Sequence, residues 1–332
     1  MTQILRTVLI PDEAQAADGV PSFDLPVNPL SCILLTVKAL NDTGTITTYR
    51  YLDTLLAMIT DLRVTYRGAS ILQGSLTDLA VLMCKLSGWA PWQSNAVEVN
   101  NDVRMVTVPL CFGRRPYDAA ECFPATRRGD LVMTLATDIA LSGLDNLVIQ
   151  AETIELLEAQ PERFIKATTT SKISNAVSEH DIELPIGNDL LGMLLRDASP
   201  PQATAFTAQF GAVALEVDNV ETIIAQANWE TMHGELMRMS PGLASMQGHI
   251  HSVDAAGAAR ENTLEQQEGN AGATLLDNYA YIDLDPMRDG TYALKTAGAA
   301  RVNLRVDTQV ASATAMRVLP VELVPIAGAP AA

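Results

Sequence analysis

The sequence predicts an all-β protein: two tandem eight-stranded jelly-roll β-sandwiches with short helices in the loops. Three observations carry that reading. Short apolar runs are separated by turn clusters such as Asn41-Asp42-Thr43-Gly44, Gly113-Arg114-Arg115-Pro116 and Arg288-Asp289-Gly290. That spacing favours antiparallel sandwiches over βαβ units. One pattern of strand, turn, capped helix and Gly stop occurs twice. Each copy has about 140 residues, which suits an eight-stranded jelly roll.

The first copy opens at Phe23-Asp24-Leu25-Pro26-Val27-Asn28, echoed by Ile182-Glu183-Leu184-Pro185-Ile186-Gly187-Asn188. An apolar run follows each, Cys32 to Val37 and Leu190 to Leu195. Leu52, Leu55, Leu56 and Ile59 have helical spacing, so a short helix precedes the next strand. Leu62, Val64 and Tyr66 alternate as a half-buried strand does. Leu62-Arg63-Val64 aligns with Leu215-Glu216-Val217, Ile71 with Ile224 and Gln73 with Gln226. Ser75 caps a helix, with Asp78 completing a capping box. Leu76, Leu79, Ala80, Met83 and Leu86 give that helix one apolar face, and Ser87-Gly88 stops it.

In the second copy Asn228 caps, Trp229, Met232, Leu236 and Met239 form the face, and Ser240-Pro241-Gly242 stops it. Asp130 to Leu135 resembles Ala300 to Val306, and closing strands run through Ile154 and Val324. The offset between copies grows by roughly 15 residues, placing a long surface loop at Leu243 to Asn278. The expected organisation is an N-terminal arm (1–22), a first jelly roll (23–158) and a linker (159–178). A second jelly roll (179–325) with the long loop 243–278 and a C-terminal tail (326–332) complete it.

Composition narrows the function. The chain has 332 residues, 48% hydrophobic and 18% charged, a core-burying balance. Lys+Arg is 22 against Asp+Glu 39, a net charge of −17, which argues against wrapping nucleic acid. The start lacks the pattern of a secretory signal, so a cytosol-like site of synthesis is expected. Cys32, Cys84, Cys111 and Cys122 are too few for a disulfide framework and read as reduced and buried.

The familiar catalytic motifs are missing. The four histidines, His180, His233, His249 and His251, all lie in the second half. His249-Ile250-His251 reads as a polar loop before it reads as a metal site. Asp283, Asp285 and Asp289 form a carboxylate cluster, better explained as a strand end and a Pro/Asp/Gly turn than as a calcium site. Arg128-Gly129-Asp130 reads as a turn entering a strand. Arg114-Arg115 and Arg127-Arg128 read as solvated loop charges or subunit contacts. Trp89, Trp92 and Trp229 read as core or intersubunit anchors. No catalytic, cofactor-binding or metal residue is assigned.

Val64-Thr65-Tyr66-Arg67-Gly68-Ala69-Ser70-Ile71, then Ser75-Leu76-Thr77-Asp78-Leu79-Ala80-Val81-Leu82, resembles the first jelly roll of double jelly-roll major capsid proteins. Those proteins build tailless icosahedral viruses, many with an internal membrane, in the tectivirus, corticovirus and adenovirus lineage. Leu184 to Asn188 resembles the start of the second roll. The resemblance implies a coat protein and no enzyme. It implies homotrimers that tile a virion shell as pseudo-hexagonal capsomers, made in the host cytoplasm. Its implied partners are neighbouring capsomers, minor capsid and vertex or spike proteins, and an internal membrane reached through the N-terminal arm, with no direct nucleic-acid contact. The other readings are a carbohydrate- or receptor-binding β-sandwich and a bicupin-like metal enzyme, the latter needing a His/His/Glu set that residues 1–160, without His, do not contain.

Overall fold

The computed structural model describes residues 3–15, 17–41, 52–89, 101, 103–139, 144–197, 208–221, 224–239, 251–253, 259–261, 275–276 and 278–326. The chain divides into two compact units. One comprises Met1–Phe164, Pro241–Leu275 and Ile326–Ala332, the other Ile165–Ser240 and Leu276–Pro325.

Along the chain lie β1 (Gln3–Ala14), β2 (Ser22–Asp24), β3 (Leu30–Asn41), α1 (Leu52–Ala57), β4 (Ile59–Tyr66), β5 (Ala69–Gly74), α2 (Leu76–Ser87), β6 (Val103–Cys111), β7 (Leu131–Thr137) and β8 (Leu144–Leu157). Then come β9 (Arg163–Thr168), β10 (Thr170–Ser174), β11 (Glu179–Glu183), β12 (Asp189–Arg196), β13 (Phe210–Val217), β14 (Val220–Glu221), β15 (Ala227–Asn228) and α3 (Trp229–Met239). The antiparallel pair β16 (His251–Val253) and β17 (Ala259–Glu261) follows. Last are β18 (Tyr279–Asp283), β19 (Leu294–Lys295), β20 (Val302–Thr308) and β21 (Ser312–Pro325).

In the first unit one sheet runs β1-β8-β3-β6 and the other β5-β4-β7-β2. Among the described strands the chain crosses between the sheets at almost every step and stays in one sheet only at the β4–β5 hairpin. That is the jelly-roll order. The second unit repeats it, with β10-β21-β12-β18 in one sheet and β14-β13-β20-β11 in the other. Its hairpin is β13–β14.

Local chemistry sets these elements. Both hairpins close with two residues of positive φ, Arg67-Gly68 (50° and 83°) and Asp218-Asn219 (52° and 64°). Such turns match strand twist and favour Gly and Asn. Ser75 Oγ accepts from Asp78 N at 3.2 Å, and Gly88, at φ 67°, ends α2 by donating its N–H to Cys84 O. The expected cap therefore forms. The expected single apolar face does not: every α2 residue from Leu76 to Leu86 is buried, because β4, β5, β6 and α1 all pack against the helix. Asn228 ends β15 immediately before α3, and Gly242 lies outside the described residues.

Three expectations change. The stretch read as an N-terminal arm holds β1, the first strand of the first roll, paired with β8 from Gln3↔Leu157 to Ala14↔Val148. The stretch read as a linker holds β9 and β10, and β10 pairs with β21 as β1 pairs with β8. The repeat is also displaced: the hairpin ends make Tyr66 equivalent to Val217, so Val64, not Leu62, matches Leu215. Of the loop 243–278, only β16, β17 and residues 275–276 and 278 fall within the described residues.

The second core joins Met193, Leu195, Ile282 and Val318 of one sheet to Ile182, Val213, Leu215 and Leu304 of the other. Trp229 seats α3 on it, fully buried and stacked on Phe210 with centroids 5.1 Å apart. Trp89 is half-buried and Trp92 lies outside the described residues. Trp229→Ala should lower unfolding stability by about 3–5 kcal/mol, read from urea melts by circular dichroism. A loss below about 1 kcal/mol would show that α3 is not anchored by this ring.

Candidate functional site: a buried carboxylate lock in each unit and an exposed strand edge

The repeated Leu-Pro segment is where the two units agree most closely. Leu25 N donates to Leu131 O and Leu184 N to Val302 O, both at 2.9 Å. The next residue, Pro26 or Pro185, has no N–H and ends the ladder. The chain then turns toward β3 or β12, and an Asn reaches a buried Glu on the long closing strand. Asn28 Nδ2 donates to Glu155 Oε2 and Asn188 Nδ2 to Glu322 Oε2, each at 2.7 Å. Both carboxylates are almost fully buried, at 3% and 2% exposure. Their other oxygens are also held: Thr153 Oγ1 lies 3.4 Å from Glu155 Oε1, and Lys166 Nζ lies 2.8 Å from Glu322 Oε1.

The backbone agrees as well. Leu30 stands opposite Glu155 and Leu190 opposite Glu322, and each pairing is followed at once by a bulge. The equivalence is thus Leu30 with Leu190, so the first apolar run, read as starting at Cys32, starts two residues later in the repeat than the run at Leu190.

Glu121 is a further buried carboxylate of the first unit. Glu121, 3% exposed, receives Arg114 Nε at 2.9 Å and Arg114 Nη2, and Arg163 Nε lies 2.9 Å away. Arg114 was expected to be a solvated or intersubunit charge; it is buried in this pair. The loop closes around it so tightly that a Cβ on Gly113 would meet Glu121 O at 2.0 Å. Burial pushes the Glu121 carboxyl up, but the Arg114 hydrogen bonds and charge, with Arg163, outweigh it and hold it below its ordinary value.

The other singled-out residues lie apart from these locks. All four cysteines are free and buried. Burial raises the Cys84 thiol, and burial with Asp118 raises Cys122 to about 12. His180 is hydrogen-bonded to Ser178 and Ala176, and His233 stacks on Trp229 and bonds Tyr279 O. The side chain of His251 and all of His249 lie outside the described residues. Asp285 accepts Gly290 N and Asp289 accepts Thr291 N, at 2.7 and 2.8 Å, the hydrogen bonds of a turn. Asp130 is paired with Arg67 at 3.0 Å, so Arg128-Gly129-Asp130 is a turn whose carboxylate is engaged. Among the described residues no group of three or more His, Cys, Asp or Glu is placed to hold a metal. Among them, too, no helix is long and apolar enough to cross a membrane.

The exposed feature is β1, an edge strand bonded to β8, with bulges at Val8/Ile10 and Ile10/Glu13. It presents Ile4, Leu5 and Val8 at 62%, 40% and 56% exposure. Arg6 pairs with Glu152, and Lys38 reaches Asp12 at 2.6 Å. Bulges and charges are devices that discourage indiscriminate edge pairing, while the apolar side chains remain open to contact.

No protein-family model matches the chain, and no curated protein matches it. Solved structures do. The chain is similar to the STIV major capsid protein in its crystal structure, with 15% identity and a TM-score of 0.66 over 97% of this chain and 97% of that one. It is similar to a chain of the atomic structure of Sulfolobus Turreted Icosahedral Virus, with 14% identity and a TM-score of 0.67 over 97% and 91%. It is also similar to the major capsid protein P2 from Bacteriophage PM2, with 13% identity and a TM-score of 0.58 over 98% and 99%. At such identities the likeness is one of fold, and the fold is the double jelly roll.

Glu121 yields a pH prediction. Its depressed pKa means that the ionised form stabilises the fold. That contribution is full above the ordinary carboxylate value of 4.5 and is lost as pH falls through the depressed pKa. Glu121→Gln should cost about 3 kcal/mol at pH 7 by leaving buried Arg114 unpaired. The gap to the parent chain should narrow under acid. A gap that stays constant from pH 7 to pH 3 would contradict the ion-pair account.

Proposed function

We propose that the chain is the major capsid protein of an icosahedral virus, a structural coat protein with no catalytic role. One observation carries this reading. The chain holds two complete jelly rolls of one topology, and its fold matches viral capsid chains over almost the full length of both partners. Function does not follow from fold alone. Here the duplication itself has a use: three copies of a two-unit chain present six similar units, enough for a pseudo-hexagonal block.

On this reading the protein trimerises, and the trimers tile the shell of the virion. The β1 edge, with Ile4, Leu5 and Val8 open, offers the kind of surface that closed symmetric assembly covers. The net charge of −17 favours an outer surface that stays soluble over direct packing of a genome. An internal membrane between shell and genome, and contacts with minor capsid and vertex or spike proteins, complete the proposal.

Native mass spectrometry of the purified chain in near-physiological salt tests it. A stable species of three chains is expected, and electron microscopy should show closed shells or capsomer patches. A monomer that persists at micromolar concentration and forms no particles would overturn it.

A further inference from the structure

β3 and β6 set Cys32 directly opposite Cys111. One step along the ladder Phe112 N donates to Ser31 O at 3.0 Å, while Cys111 N lies 3.4 Å from Met83 Sδ. The cysteines therefore occupy a non-hydrogen-bonded position of the antiparallel pair. At such positions opposed Cα atoms lie about 4.5 Å apart and the side chains approach most closely. A disulfide spans Cα separations of about 4.4–6.8 Å, so opposed positions of this kind lie within reach of a bridge.

The surroundings add to this. Cys32 stands next to Ile154 on β8, and Ile154 next to Arg6 on β1. The loop after β6 is anchored beside the pair by Tyr117 N on Ser31 Oγ at 2.9 Å. Both thiols are nearly sealed, at 2% and 1% exposure. The hydrogen bond from Cys111 outweighs burial and, with Arg6, holds the Cys32 thiol below its ordinary value, while Cys111 is pushed up. The second unit has Gly192 and Asp283 at the matching positions. A Cβ on Gly192 would meet Ile282 O at 2.5 Å, so the fold does not itself call for a cysteine pair there.

We propose that Cys32 and Cys111 form a redox pair, two thiols in the reduced chain and one cross-strand disulfide after reaction with a small hydroperoxide. The Cys32 thiolate attacks the peroxide O–O bond. An S–O bond forms, giving a sulfenic acid, and the leaving oxygen takes a proton to become water or an alcohol. Cys111 sulfur then attacks Cys32 sulfur, the S–O bond breaks, and the hydroxyl leaves with the Cys111 proton as water. Two thiols and one hydroperoxide give one disulfide, one water and one further water or alcohol. Two electrons pass from sulfur to oxygen. The bridge ties β3 to β6 and closes the stretch of chain that holds α1, β4, β5 and α2.

The test uses the unmodified chain with hydrogen peroxide as the probe. Reduced protein is treated, quenched in acid and denatured with N-ethylmaleimide. The expected product takes up two maleimides where untreated protein takes four. Peptide mapping should recover Cys32 linked to Cys111. The oxidised chain should melt roughly 5–10 °C higher, and dithiothreitol should reverse the shift. Cys84→Ser and Cys122→Ser should leave the link intact. Four titratable thiols after treatment, separate sulfinic acids on Cys32 and Cys111, or a bridge to Cys84 or Cys122 would each overturn the proposal.

Discussion

In each unit one buried glutamate, Glu155 or Glu322, ties the turn after a Leu-Pro step to the closing strand. A glutamate side chain sealed inside a β-sandwich is costly unless its oxygens are occupied. Glu155 and Glu322 meet that condition with the amide of an asparagine that follows a Leu-Pro step. The requirement fixes several things together. It sets where the chain leaves β2 or β11, because the asparagine must arrive within 2.7 Å of the carboxylate. It also sets the register of β3 on β8 and of β12 on β21, because Leu30 and Leu190 must stand opposite the glutamates. A slip of one residue would turn every side chain of the strand to the wrong face.

The two locks are equivalent without being identical. Thr153 completes the first and Lys166 the second. Around them the units diverge. After β6 the first unit builds a loop on the Arg114–Glu121–Arg163 cluster, whereas after β18 the second forms a turn on Asp285 and Asp289. A duplicated scaffold with separate loops suits a coat protein.

Much of this architecture was legible in the sequence. Ser75, Asp78 and Gly88 announced α2 because capping depends on local chemistry. The duplication was visible in the Leu-Pro segments and in the repeated order of strand, turn, capped helix and Gly stop. The two-residue error in aligning Leu62 with Leu215 has a physical source: a period-two pattern looks the same after a shift of two. β1 was missed because most of its residues are exposed and two bulges break its alternation. β10 was missed because Thr170 to Ser174 is short and polar. Arg114 looked like a surface charge because its partner, Glu121, is recognisable only once the loop has folded back. Glu155 and Glu322 carried a signal that was not used, an acidic residue inside the apolar stretch of each closing strand.

The most direct test of this account is a pair of double-mutant cycles on the locks, Asn28→Ala with Glu155→Ala and Asn188→Ala with Glu322→Ala, read by denaturant unfolding. The account predicts a favourable coupling of about 1.5–3 kcal/mol in each unit, the range of hydrogen bonds to a charged group. Coupling indistinguishable from zero in either unit would contradict it, and would mean that the asparagine does not hold the strands of that jelly roll in register.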